Sequence, residues 1–229
     1  MLKRLRWVLL VLGILTLIFL YFAFPPSFYL PHKRPVLILP IDPKYDSLCG
    51  IMPMGEKIYH PNAPSGHPGI DFGFSAVTEN IPYIAAMDGI ISKVHIYDNP
   101  EKIAEKMKPL SKKMADVFIT DGSYQVVYSE MDGDLLPTTI RVGAKIKQGD
   151  FVGYGNFADK GIGEGTRNEM IHWEFGSTSP IIDRFCPLTY FTEESRTRLE
   201  NIWARTDTPN MKARYPEICN GDYNGKVER

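Results

Sequence analysis

The sequence predicts a mainly β, antiparallel domain that is preceded by one membrane-spanning helix. Glycine (19) and proline (18) together make up 37 of the 229 residues, which favours a turn-rich β protein over a helical bundle. Hairpin turn signals such as Asp121-Gly122 and Gly149-Asp150 separate short apolar runs. A long apolar run near the N-terminus accounts for the predicted membrane helix.

The N-terminal region is predicted to anchor the chain in a membrane. Residues 1–6 contain Lys3, Arg4 and Arg6 and form the cytoplasmic end, and an apolar run over residues 7–24 follows them. As a helix this run would be about 27 Å long, close to the roughly 30 Å of a hydrocarbon core. The positive-inside rule places the rest of the chain outside the cytoplasm. A cleaved signal peptide is the alternative, although its apolar region is usually shorter, about 7–15 residues.

The rest of the chain divides into three predicted parts. Residues 25–46 form a linker, because prolines spread along it oppose a regular helix. Residues 47–182 form the β domain, and residues 183–229 form a C-terminal helical extension with a helix from Glu193 to Trp203. The formal net charge is −1 with both signs dispersed, which argues against a nucleic-acid partner.

One helix is predicted as an insertion in the β domain, over about residues 99–115. An Asn-Pro pair at residues 99–100 supplies an N-cap followed by proline at the first helical position. Apolar side chains then recur at approximately helical spacing at Ile103, Met107 and Leu110.

Two histidines and an aspartate are the candidate ligands of one Zn²⁺ ion: His67, Asp71 and His172. In a fully extended strand the Cα atoms of His67 and Asp71 would lie roughly 13 Å apart, too far for one ion. The Pro-Gly pair between them is a turn signal, so we expect the chain to curl and turn both side chains inward. Zinc in hydrolases commonly takes three such ligands and keeps a fourth position for water.

The strand around His172 alternates between two faces. Met170, His172 and Glu174 share one face, which we expect to line a cleft. The other face carries the predicted core residues Ile171, Trp173 and Phe175.

Three motifs resemble the lysostaphin-type (LytM-like) zinc endopeptidases, which cut peptidoglycan cross-links. They are Gly66–Phe72, Pro82–Ile91 and Ile171–Phe175, and they follow the order of that family within about half of the chain. The resemblance implies an antiparallel β-sheet or sandwich (the duplicated hybrid motif), one bound zinc ion and peptidoglycan as substrate. Together with the predicted N-terminal anchor, it implies a single-pass protein of the bacterial inner membrane with an extracytoplasmic domain and a protein partner in cell-wall remodelling.

The same comparison shows two departures, at the positions where the family carries catalytic histidines. Met170 replaces one of them, and Glu130, two residues after Tyr128, replaces the other. The resemblance therefore implies a substrate cleft with Met170, Tyr128 and Glu174, and Glu130 is the candidate general base. Two functions follow: a peptidase with a rebuilt base, or a catalytically impaired zinc-binding domain that binds cell wall or regulates another hydrolase.

Three cysteines leave the disulfide pairing open. An extracytoplasmic compartment permits a disulfide, and Cys186 and Cys219 flank a helical stretch, which makes them the candidate pair. Their bond would hold the C-terminal tail against the domain. Sequence alone does not exclude Cys49 as a partner.

Overall fold

The computed structural model describes residues 12–16, 33–58, 66–98, 107–109, 111–155, 157–160, 167–178, 184–206 and 209–223. Within these ranges the strands are β1 (Cys49–Met52), β2 (Ile70–Val77), β3 (Pro82–Ile84), β4 (Gly89–Asp98), β5 (Met107–Pro109), β6 (Lys113–Thr120), β7 (Tyr124–Asp132), β8 (Lys145–Ile146), β9 (Phe151–Tyr154), β10 (Phe157–Lys160) and β11 (Arg167–Ser177). They are followed by helices α1 (Glu193–Arg205) and α2 (Pro209–Arg214), and short 3₁₀ helices cover Pro43–Leu48 and Pro187–Thr189.

The described strands form a large antiparallel sheet and a separate pair. The sheet has nine strands in the order β1-β2-β11-β7-β6-β4-β8, with β10 paired to β11 and β5 paired to β10. β3 and β9 form the separate antiparallel pair. The long strand β11 lies between β2 and β7 and is antiparallel to both. The predicted mainly β, antiparallel fold is confirmed.

β11 separates the core from the candidate site by the alternation of its side chains. Ile171, Trp173 and Phe175 are 0–1% exposed, and Trp173 stacks on Phe191 with ring centroids 5.9 Å apart. His172 projects from the opposite face. Burial of each large apolar side chain stabilises the fold by about 1.5–3 kcal/mol. This burial fixes the register of β11, because a slip of one residue would move the apolar set to the polar face.

The structure differs from the predicted linker from Pro35 onward, where the chain belongs to the same compact unit as the β domain. Leu37, Leu39 and Ile41 are fully buried. The Leu37 N–H donates to the carbonyl of Tyr190 at 2.8 Å. Prolines prevent a helix here, but they do not prevent an extended segment from packing into the core.

The predicted helix over residues 99–115 is wrong where the structure describes it. Residues 107–109 form β5 and β6 begins at Lys113, while residues 99–106 and 110 lie outside the described ranges. β6 is buried from Met114 to Ile119 and pairs with β4 on one side and β7 on the other. A central strand buried on both faces is nearly continuously apolar, and its pairing overrides a weak helical spacing.

Of the predicted membrane helix, residues 12–16 are described, and they are helical. Within the described part of the chain, no helix has the length and apolar character needed to cross a membrane. The other residues of 1–24 lie outside that part, so the anchor stays a prediction.

Tyr128 is fully buried and links β7 to the end of β3 and to the segment that follows it. Its hydroxyl accepts a hydrogen bond from the Ala86 N–H at 2.7 Å and donates one to the Ile84 carbonyl at 2.8 Å. Tyr128→Phe should lower the free energy of unfolding by about 1–3 kcal/mol, because the buried N–H loses its acceptor. Chemical denaturation measures the loss, with Tyr154→Phe at a half-buried tyrosine of β9 as control. Equal losses in the two variants would contradict this assignment.

Candidate metal centre

His67 is held through its backbone and one ring nitrogen. Its N–H donates to the Gly55 carbonyl at 3.0 Å, and the Gly55 N–H donates to the His67 carbonyl at 2.8 Å. Ring Nδ1 lies 2.7 Å from the carbonyl oxygen of Pro53, which only accepts, so Nδ1 carries the proton. Nε2 therefore presents its lone pair, 3.2 Å from Asp71 Oδ1.

The chain bends between His67 and Asp71 before β2 begins, as the Pro-Gly pair predicts. Gly69 at this bend permits a close approach to β11. A Cβ atom at Gly69 would lie 2.4 Å from the Trp173 carbonyl oxygen and 2.9 Å from ring atoms of His172. A larger residue would therefore displace the backbone or the ring of the third candidate ligand.

Asp71 and His172 are direct partners across β2 and β11, and such partners project to the same face of a sheet. His172 Nδ1 lies 2.7 Å from Asp71 Oδ1. Candidate ligand atoms of His67, Asp71 and His172 all lie within 4.8 Å of one another. The structure thus brings together the three residues predicted as metal ligands.

The electrostatics of this cluster favour a cation among the three side chains. Burial disfavours a charged Asp71, yet His67 and His172 outweigh burial and hold the pKa of Asp71 below its ordinary value. Burial also disfavours a charged His172, but hydrogen bonds to Asp71 and Glu174 raise the pKa of His172 well above its ordinary value. Two imidazole nitrogens and one carboxylate oxygen are a donor set that zinc takes in proteins, so the residues fit this ion.

Glu174 orients His172 from the interior and does not line the cleft, which corrects the predicted cleft position. Its Oε1 lies 3.2 Å from His172 Nε2 and accepts the proton of that nitrogen, so Nδ1, whose proton faces Asp71, is the nitrogen that would exchange its proton for a metal. Arg184 Nε donates to Glu174 Oε2 at 2.6 Å, and both residues are 2–3% exposed. This ion pair holds the carboxylate of Glu174 in the protein interior. Sequence reasoning missed Arg184, because it lies ten residues beyond Glu174 and outside the motif.

Glu130 occupies an irregular position of β7 near the metal cluster. Its φ is 66°, in the left-handed region, and it lies at a register shift between β6 and β7. Its N–H donates to Asp116 Oδ1 at 3.3 Å. Burial raises the pKa of Glu130 to about 7, and charges on His172, Asp71 and His67 also influence it. The carboxylate therefore lies within electrostatic reach of all three candidate ligands.

Tyr128 lies in the core, which corrects its predicted place in the cleft. Its partner across β11 is Trp173, whereas Ser129 lies directly opposite His172. Because side chains alternate along a strand, Ser129 and not Tyr128 shares the face of the metal cluster. Met170 is half-buried on β11.

Cys186 and Cys219 form a disulfide with their Cα atoms 5.7 Å apart. Cys49 is free and buried in the core. The disulfide joins the chain just after β11 to a segment near the C-terminus.

Comparisons with known proteins give structural similarities only. No protein-family model and no curated protein matches the chain. One similar structure is the catalytic domain of the antimicrobial peptidase lysostaphin from Staphylococcus simulans, with 14% identity, a TM-score of 0.42, and coverage of 66% of this chain and 97% of that one. A zinc containing peptidase from Vibrio cholerae has 19% identity and a TM-score of 0.40, over 63% of this chain and 37% of that one. Csd3 from Helicobacter pylori has 16% identity and a TM-score of 0.43, over 80% of this chain and 43% of that one, so the match spans less than half of the last two proteins.

We expect about one zinc ion per chain, and His172→Ala should remove it, because a site with two protein ligands loses most of its affinity. Metal analysis after dialysis against zinc measures the content of each protein. His95→Ala is the matched control, since His95 lies on β4 and outside the three-residue cluster. A wild-type protein without zinc, or a His172→Ala protein loaded as fully as wild type, would contradict the assignment.

Proposed function

We propose that this chain is a membrane-anchored, extracytoplasmic zinc metallopeptidase-like protein that acts on peptidoglycan cross-link peptides. The observation that carries the proposal is the convergence of His67, Asp71 and His172 within 4.8 Å, with the carboxylate of Glu130 in electrostatic reach. Three zinc ligands and a nearby half-buried base are the components that metal-assisted hydrolysis of an amide requires. The three motifs that resemble the lysostaphin-type family support the substrate class.

Zinc held by these residues would polarise the scissile carbonyl and lower the pKa of water. Glu174, held by Arg184, keeps the proton on His172 Nε2, so that Nδ1 would be the nitrogen that holds the ion. Glu130 accepts a proton from the attacking water and then donates it to the leaving amine nitrogen as the C–N bond breaks. A pKa of about 7 suits both steps, because the group then gains and loses a proton readily near neutral pH.

The proposed location follows from the N-terminal sequence. Residues 7–24 would cross a bacterial inner membrane once, with the basic residues 1–6 in the cytoplasm. The disulfide between Cys186 and Cys219 fits an oxidising compartment. The β domain would then share its compartment with peptidoglycan.

A second candidate function is a zinc-binding domain that binds cell wall or regulates another cell-wall hydrolase as its protein partner. Met170 favours it, because a thioether at this half-buried position cannot donate a hydrogen bond to a developing oxyanion. Loss of general acid–base help typically slows a reaction by about 10²–10⁴-fold. A protein that keeps zinc but lacks turnover would serve in this second role.

Incubation of the purified protein with intact peptidoglycan, once with zinc and once with a chelator, distinguishes the two functions. Zinc-dependent release of peptide fragments, identified by mass spectrometry, supports the peptidase. Zinc-loaded protein that sediments with peptidoglycan and releases no fragments supports the binding domain.

Glu130→Gln should reduce cleavage by at least about 10²-fold and leave the zinc content unchanged. Glutamine has nearly the same shape as glutamate but cannot accept the proton, so the variant isolates proton transfer from packing. Fragment release and metal analysis measure the two properties, and Glu200→Gln on the exposed face of α1 is the control. Cleavage by Glu130→Gln at the wild-type rate would rule out this mechanism.

The double substitution Met170→His with Glu130→His should raise cleavage, or create it in a protein that only binds. It restores an imidazole at each position where the family carries one, and the zinc ligands are untouched. Fragment release is compared among wild type, each single variant and the double variant. A zinc-loaded double variant that cleaves no faster than the single variants would show that the cleft cannot use these histidines.

A further inference from the structure

The backbone that supports His67 is paired with the C-terminal segment, residues 215–223. Met54 lies between the two residues that bond His67. The Met54 N–H donates to the Ile218 carbonyl at 3.0 Å, and the Asn220 N–H donates to the Met54 carbonyl at 2.8 Å. These two bonds lie on either side of Cys219, which is the bridge partner of Met54.

The buried Arg184–Glu174 ion pair, which orients His172, also contacts the C-terminal segment. The backbone of Arg184 exchanges two hydrogen bonds with that of Tyr223, each 2.8 Å long. Two residues further on, the Cys186 N–H donates to Asp222 Oδ1 at 2.8 Å. One segment therefore contacts the supports of both candidate histidine ligands.

The disulfide joins these two supports covalently. Cys219 lies in the C-terminal segment beside the support of His67, and Cys186 lies two residues after Arg184. Ile218 next to Cys219 is 4% exposed, so the segment packs against the domain. A bond across a sequence separation of 33 restricts how far the segment can move when its other contacts break.

We propose that the Cys186–Cys219 disulfide positions both histidine ligands, so that zinc affinity depends on whether this bond is closed. The inference rests on the proposed zinc site. With the bond open, detachment of the C-terminal segment removes backbone partners from both supports at once. His67 and His172 then lose their fixed orientations, and the loss of such supporting contacts weakens metal binding by about 10–100-fold.

The first test replaces both cysteines, Cys186→Ser with Cys219→Ser, in the full chain. Competition with a chromogenic zinc chelator measures affinity, and circular dichroism shows that the variant is folded. We expect a Kd at least about tenfold weaker than wild type. Cys49→Ala is the matched control, because it removes a buried thiol and leaves the disulfide closed. A folded double variant that binds zinc as tightly as wild type overturns the proposal.

A second test uses the wild-type protein and needs no folded double variant. A phosphine reductant opens the bond: the phosphine takes oxygen from water, the S–S bond breaks and two thiols form. Cys219 is 9% exposed, so the reductant reaches this sulfur when the C-terminal segment lifts from the domain. Zinc binds the form with the segment in place and should make opening at least about tenfold slower. Alkylated thiols counted by mass spectrometry give the rate, and His172→Ala should abolish the zinc effect. Equal rates with and without zinc overturn the proposal.

These measurements separate failure of this inference from failure of the proposed zinc site. Wild-type protein that binds no zinc refutes the site itself. Wild-type protein that binds zinc, with an affinity independent of the disulfide, refutes only the coupling.

Discussion

The pairing of β2 with β11 is the constraint on which the candidate site depends. It brings Asp71 and His172, separated by 101 residues, to a contact of 2.7 Å. The register of that pairing is fixed from the other face, where Ile171 and Trp173 are buried in the core. A one-residue slip would expose the core residues and separate the metal ligands at the same time. The same register of β11 therefore buries the core residues and aligns the candidate ligands, so a change of register would disrupt both.

The candidate ligands belong to a row of buried and half-buried groups in which acids and bases alternate. The row runs from Arg184 through Glu174, His172 and Asp71 to His67, with successive contacts of 2.6, 3.2, 2.7 and 3.2 Å. Each buried group gains a partner of opposite character, which offsets part of the loss of hydration. The same contacts select the ring nitrogen that each histidine presents. The fold thus sets the geometry and the tautomers of the ligands through residues that do not themselves bind a metal.

The sequence predicts those features that depend on neighbours along the chain. It does not predict features that depend on pairing between strands distant in sequence. The bend between His67 and Asp71 is encoded locally by Pro68-Gly69, and the burial of Trp173 follows from alternation. The helix predicted over residues 99–115 overlaps the start of β6, a strand that is buried because it pairs with β4 and β7. The contact of Arg184 with Glu174 likewise joins residues ten positions apart, so no local pattern indicates it.

The placement of Tyr128 shows that neighbouring residues of one strand lie on opposite faces of the sheet. A motif locates the strand, but an offset of one residue separates the core face from the face of the metal cluster, and here Ser129 lies on the latter, opposite His172. The register shift between β6 and β7 is a β-bulge, in which Ser129 and Glu130 together lie opposite the single residue Asp116 of β6. The extra residue changes which face of the sheet the following side chains point to. Alternation read from sequence cannot include an extra residue whose position is set by the neighbouring strand.

Under the proposed mechanism, that bulge sets stability against activity at a single residue. A non-glycine side chain in the left-handed region, as Glu130 is with its φ of 66°, carries a penalty of roughly 1–2 kcal/mol that glycine escapes. Selection for thermal stability alone would therefore favour glycine at position 130. Such a protein would keep its sheet and all three metal ligands, and it would lose the carboxylate. Under the proposed function, a variant stabilised in this way would bind zinc without hydrolysing peptides, and its fold would not change.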